Sequence, residues 1–226
     1  MIPGIDVSHW QKEIDWKAVK ASGFRFAFYK ATEFPPKKTE IFIDPQLANN
    51  ARGTFENKIH SAPYHFYRTH VPPTTQAFGF LEVIKDLTFN LPPVLDLELS
   101  GKHGLSLCED VQKFCVTVES VLGVVPIIYT SGGFWRSYMR YNHFSNVTRF
   151  SGYPLWLAQW GFTMPKPLYP FAMAKFWQYS QTGRVPGVIT HVDLDYFMGG
   201  EMELVSYLKW HRPDPKEISK LWRLDS

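Results

Sequence analysis

Cysteine is scarce: the 226 residues hold only Cys108 and Cys115. They lie seven positions apart in a segment with helical spacing, roughly 10 Å along the axis, which is too far for a disulfide. A disulfide framework is excluded, and two buried thiols are expected. No apolar run reaches the ~18 residues of a membrane-spanning helix. No basic n-region or apolar h-region follows Met1, so no secretory leader is visible. Neither charge sign dominates. Lys and Arg number 24 and Asp and Glu 21, a net +3, and no basic run interleaves with rings, so a nucleic-acid partner is not expected. Also missing are Gly-x-Ser-x-Gly, His-Glu-x-x-His, Cys-x-x-Cys and a Gly-rich phosphate loop. His60, His65 and His70 step by five, which matches no common ligand spacing. No metal and no cofactor is expected.

What the chain has in quantity is rings: 18 Phe, 11 Tyr and 8 Trp, or 16%. So many need a large core or a stacking surface. Short apolar runs alternate with helical patterns. Strands are expected at Ile2 to Ser8, Phe24 to Ala31, Ala62 to Tyr67, Pro92 to Leu99 and Pro126 to Thr130. Helical spacing follows from Trp16, over Phe42 to Phe55, Gln76 to Leu87 and Leu107 to Leu122. Beyond residue 150 three more strands, at Pro154 to Trp160, Ala174 to Ser180 and Val192 to Phe197, come with few helices between them. A closing helix is read over Glu201 to Trp210. Asp214-Pro215-Lys216-Glu217 reads as the cap of a last one, through Trp222. Five β/α units and three strands predict a single-domain α/β protein, an irregular TIM-like (β/α)5(β)3 barrel over 1–208 with a tail at 209–226. An open doubly wound sheet is the rival, weakened by the missing phosphate loop.

Acids interrupt the apolar strands. Asp6 ends the first, Asp96 and Glu98 end the fourth, and Asp193 and Asp195 lie in the last. A buried carboxylate is costly unless paired or solvated, and a barrel accommodates it at its C-terminal mouth. Asp96 and Glu98 are i and i+2, so they share a strand face. Two like charges that close cannot both ionise freely, which raises a pKa and suits a general acid. This arrangement fits glycoside hydrolysis. Asp-x-Glu alone is better read as a structural acid cluster; with Asp6 and Asp193 added, catalysis is the better reading.

At these residues the chain resembles glycoside hydrolase family 25, the Chalaropsis-type lysozymes. The resemblance rests on Gly4-Ile5-Asp6-Val7-Ser8-His9-Trp10-Gln11, Phe26-Ala27-Phe28-Tyr29-Lys30-Ala31-Thr32-Glu33, Tyr64-His65-Phe66 and Leu91-Pro92-Pro93-Val94-Leu95-Asp96-Leu97-Glu98. It continues through Pro126-Ile127-Ile128-Tyr129-Thr130, Leu155-Trp156-Leu157-Ala158, Trp177-Gln178-Tyr179-Ser180 and Val192-Asp193. It implies the barrel above and an N-acetylmuramidase that cuts the β-1,4 bond after N-acetylmuramic acid in bacterial peptidoglycan. Glu98 matches the general acid and Asp96 its neighbour, which handles the substrate acetamido group, the proposed nucleophile. Asp6 and Asp193 match the other acids at the mouth. Tyr64 and Tyr129 would line the reacting subsite, with Trp156, Gln178 and Tyr179 as further glycan contacts. A monomer acting on the cell wall is expected, as a phage endolysin released at lysis or a bacterial autolysin whose leader has been removed.

Lys30 and Glu33 are balanced between a rim ion pair and substrate contact. His65 is expected to be structural, and Trp10 and Trp16 to pack the bottom or flank of the barrel. Where the family continues Lys-Ala-Thr-Glu with Gly, this chain has Phe34-Pro35-Pro36-Lys37-Lys38, so that loop and the groove beside it should differ in shape. A family 18 chitinase-like barrel is a weaker alternative, because its motif needs acids where Leu91 and Val94 stand. A glycan-binding barrel without turnover is the other.

Overall fold

The computed structural model describes residues 1–208. The helix expected over 214–222 and the end of the one expected through Trp210 lie outside them. Nine strands form one sheet: β1 (Ile2–Val7), β2 (Phe26–Glu33), β3 (Phe42–Ile43), β4 (His60–Phe66), β5 (Val94–Asp96), β6 (Ile127–Ser131), β7 (Leu155–Ala158), β8 (Phe176–Gly183) and β9 (Val192–Phe197). All but β3 close into an eight-stranded barrel, because β1 pairs with both β2 and β9. Neighbours from β1 round to β8 run parallel. The closing strand β9 is antiparallel to both β8 and β1.

The outer layer is α1 (Trp16–Ala21), α2 (Leu47–Glu56), α3 (Pro73–Ile84) and α4 (Gly104–Leu122). After β6 the connection is irregular: a single turn α5 (Gly132–Phe134) runs into a π-helical turn (Trp135–Arg140) and two 3-10 turns. A last helix, α6 (Glu201–Tyr207), follows β9. No helix among the described residues is long and apolar enough to cross a membrane.

Local chemistry explains most boundaries. The Asp15 carboxylate caps α1 by accepting from the Ala18 N–H at 3.0 Å. Gly123, at φ +66°, ends α4 in the left-handed conformation that suits glycine. Both cysteines are buried thiols on α4. The helix expected from Phe42 starts only at Leu47, because Phe42 and Ile43 pair with Glu33 and Thr32 as a short antiparallel strand. Strand β2 is buried on both faces, the mark of a parallel strand between a barrel interior and its helices.

Rings fill the interior. Phe28 sits 4.4 Å from Trp156 and 5.0 Å from Phe176, and Phe176 sits 5.1 Å from Phe197, centroid to centroid. This plug forms the floor on which the polar mouth stands. Trp16 packs on the flank as expected, buried against Gly53 of α2. His65 is also structural. Its Nδ1 meets the Thr32 hydroxyl at 2.7 Å and its Nε2 meets Gln76 Oε1 at 3.0 Å. Since Gln76 Nε2 donates to the carbonyls of Arg68 and Val71, Oε1 must accept. The ring is therefore the neutral Nε2–H tautomer. Burial holds its pKa down at about 4.

Candidate active site

The C-terminal mouth of the barrel holds a cavity of about 350 Å³. Asp6, Asp96, Glu98 and Asp193 all line it, with Lys30, Tyr64, Tyr129, Trp156 and Gln178. Asp96 ends β5 and is 7% exposed, while Glu98, two residues on, is exposed at the rim. Asp193 comes from the start of β9, not its end. Because β9 runs antiparallel, its first residues reach the same mouth, and Asp193 pairs in register with Asp6.

Gln178 ties the floor together. Its Nε2 donates to Asp6 Oδ2 at 2.8 Å and to Asp193 Oδ2 at 3.2 Å. Its Oε1 accepts from the Tyr129 hydroxyl at 3.0 Å and from Trp160 Nε1 at 3.1 Å. Two donors on one side and two carboxylates on the other fix the amide's orientation. Below it, Asp195 is fully buried and accepts from Trp156 Nε1 at 2.8 Å.

Every acid here is held above the ordinary carboxylate range. For Asp96 the cause is burial, then the charge of Glu98, with Lys30 pulling the other way. For Glu98 it is the water stripped away by the walls of the mouth, again opposed by Lys30 and Arg68. Burial and then Glu98 push Asp193 up to about 6. Burial, then Asp195 and Asp193, push Asp6 up, while the Gln178 amide moderates the shift. The mouth therefore stores protons at pH values where free carboxyls have lost theirs. Tyr64 and Tyr129 are likewise pushed up, by burial and then by the surrounding acids, so both stay phenols.

The two residues left in balance are resolved by contact. Lys30 lines the mouth and also pairs with Glu33 at 3.3 Å. Glu33 does not line it; it holds Lys30 on one oxygen and Arg68, at 3.0 Å, on the other. Burial raises the Glu33 pKa, but the two cations outweigh it and leave it lowered. Tyr179 is not at the mouth either. Strand alternation turns Gln178 inward, and Tyr179 stacks on Tyr196 at 4.6 Å on the outside. Trp10 departs from expectation: it is 72% exposed and lines the cavity. It stands just past the end of β1, where no helix covers it. Phe34 is buried with its ring edge toward His65, and no residue of 34–41 lines the cavity. Trp160 was not foreseen. It ends the strand expected over Pro154 to Trp160 and lies at i+4 from Trp156, so the alternation already placed both on one face. Among the described residues, no group of three His, Cys, Asp or Glu is placed to hold a metal ion.

A closed barrel whose mouth gathers four carboxylates between aromatic walls has the groups that glycoside hydrolysis needs. The chain belongs to the glycosyl hydrolases family 25, whose model matches residues 5–188. It is 33% identical to the uncharacterized protein YegX of Escherichia coli (strain K12) over 95% of this chain and 76% of that one. It is 32% identical to Lysozyme M1 of Streptomyces globisporus over 91% of this chain and 70% of that one. Its fold superposes on the bacterial lysozyme from Streptomyces coelicolor with a TM-score of 0.78 and 28% identity, covering 92% and 96% of the two chains.

Proposed function

We propose that this glycoside hydrolase is an N-acetylmuramidase that cuts the β-1,4 bond after N-acetylmuramic acid in peptidoglycan, with Glu98 as the general acid. The observation that carries this reading is the Asp96–Glu98 pair. Both carboxyls are held above their ordinary range and line the cavity, but Asp96 is buried while Glu98 stands exposed at the rim. The pair retains a proton that two free carboxyls would have lost, and Glu98 is the member a glycosidic oxygen can reach. As that oxygen leaves, positive charge grows on the sugar ring, and the acids across the mouth stabilise it. Asp96, fixed in β5, receives the acetamido N–H. Asp96 lines the cavity beside Glu98, so its carboxylate is placed to accept that N–H. Asp6 and Asp193, held 2.8 and 3.2 Å from one amide, orient the water that completes hydrolysis. Exposed Trp10 and Trp160 supply ring faces for neighbouring sugars. The cell wall is the site of action.

The test is release of muramic-acid reducing ends from purified peptidoglycan. Glu98→Gln is expected to cut the rate about 10²- to 10⁴-fold. Near-full activity in that variant would move the acid role to another residue. A wild type that releases no such ends would leave a barrel that binds glycan without turnover.

A further inference from the structure

A second pocket, of about 440 Å³, lies behind the wall of the first. The wall is the segment after β7: Trp160 faces the catalytic mouth, while Gln159, Thr163 and Met164 face the second pocket. Gln159 Nε2 braces it by donating to the Thr163 carbonyl at 3.2 Å. Arg136 and Lys166 line this pocket and no acidic residue does. Among the described residues neither cation forms an ion pair. Gly132 makes room for the guanidinium, since a Cβ there would lie 3.0 Å from Arg136 Nη1. Pro165 and Pro167 flank Lys166 and limit its backbone.

We propose that this pocket takes the carboxylates of the stem peptide that muramic acid carries on its lactyl group, an inference that rests on the muramidase reading. A planar guanidinium matches a carboxylate with two parallel hydrogen bonds, and the pocket stands one loop away from the bond to be cut. The test compares glycan strands bearing stem peptides with the same strands stripped of peptide by an amidase. The Arg136→Ala/Lys166→Ala double variant is expected to raise KM about fivefold on peptide-bearing strands, less at high salt, and to leave stripped strands unaffected. A double variant that changes both substrates equally, or neither, overturns the pocket assignment alone. A wild type inert on both overturns the muramidase reading and the pocket with it.

Discussion

Replacing Gln178 by Glu would put a carboxylate where an amide now donates to two others. The variant keeps the shape and loses both donors, 2.8 and 3.2 Å from Asp6 and Asp193. A third negative charge would push the neighbouring pKa values further up. We expect kcat/KM to fall about 10- to 100-fold and the pH–rate profile of what remains to move. An unchanged profile would mean that Gln178 does not set the protonation of the floor. At this scale the sequence was partly legible. Asp96 and Glu98 share a face by the period of two, a local rule, and Gln178 stood in a recognisable motif. Glu33 and Tyr179 did not reach the mouth. The partners that hold them, Arg68 and Tyr196, stand 35 and 17 positions away, where no local period connects them.

Elements are held together by close approaches that no helical or strand period reveals. Gly53 sits inside α2, where glycine ordinarily costs about 1 kcal/mol against alanine. Here a Cβ would lie 2.1 Å from Trp16 Cδ1 of α1, and the indole is buried with nowhere simple to move. Gly53→Ala is therefore expected to destabilise by about 1–3 kcal/mol, against the usual gain. Urea unfolding would show the sign, and a stabilised variant would mean that the α1–α2 contact is loose. The helices α1 to α4 were readable because each carries an apolar stripe at helical spacing. Residues 132–150 were not, because π and 3-10 turns follow neither period.

The whole molecule carries several carboxyls at one end with pKa values above ordinary. A carboxyl raised on folding favours the folded state while protonated, and that contribution is lost as pH rises through the folded value. For Asp193 this window runs from its ordinary value of 3.8 up to about 6; Asp6, Asp96, Asp195 and Glu98 act in the same direction. His65 opposes them. Its pKa falls from 6.5 to about 4 on folding, so its contribution is present above 6.5 and is lost as pH falls toward 4. Five raised carboxyls outweigh the one histidine, so Tm should be highest near the ordinary carboxyl range, at roughly pH 4, and decline toward pH 8. A Tm still climbing at pH 8 would contradict the raised carboxyls. Replacing Asp195 by Asn should flatten the alkaline decline.

The alternation of apolar runs and stripes favoured a (β/α)5(β)3 barrel over an open doubly wound sheet, and the acids within those runs marked where its chemistry lies. Both follow from local rules: side chains repeat every two residues in a strand and every 3.6 in a helix. The direction of β9 is not local. The sequence shows an acid near the beginning of that strand, which in an all-parallel barrel would sit at the closed end. Antiparallel closure against β1 and β8 brings Asp193 beside Asp6 and under the Gln178 amide. A strand's direction is set by the neighbours that satisfy its backbone hydrogen bonds, and that pairing exists only in the assembled barrel.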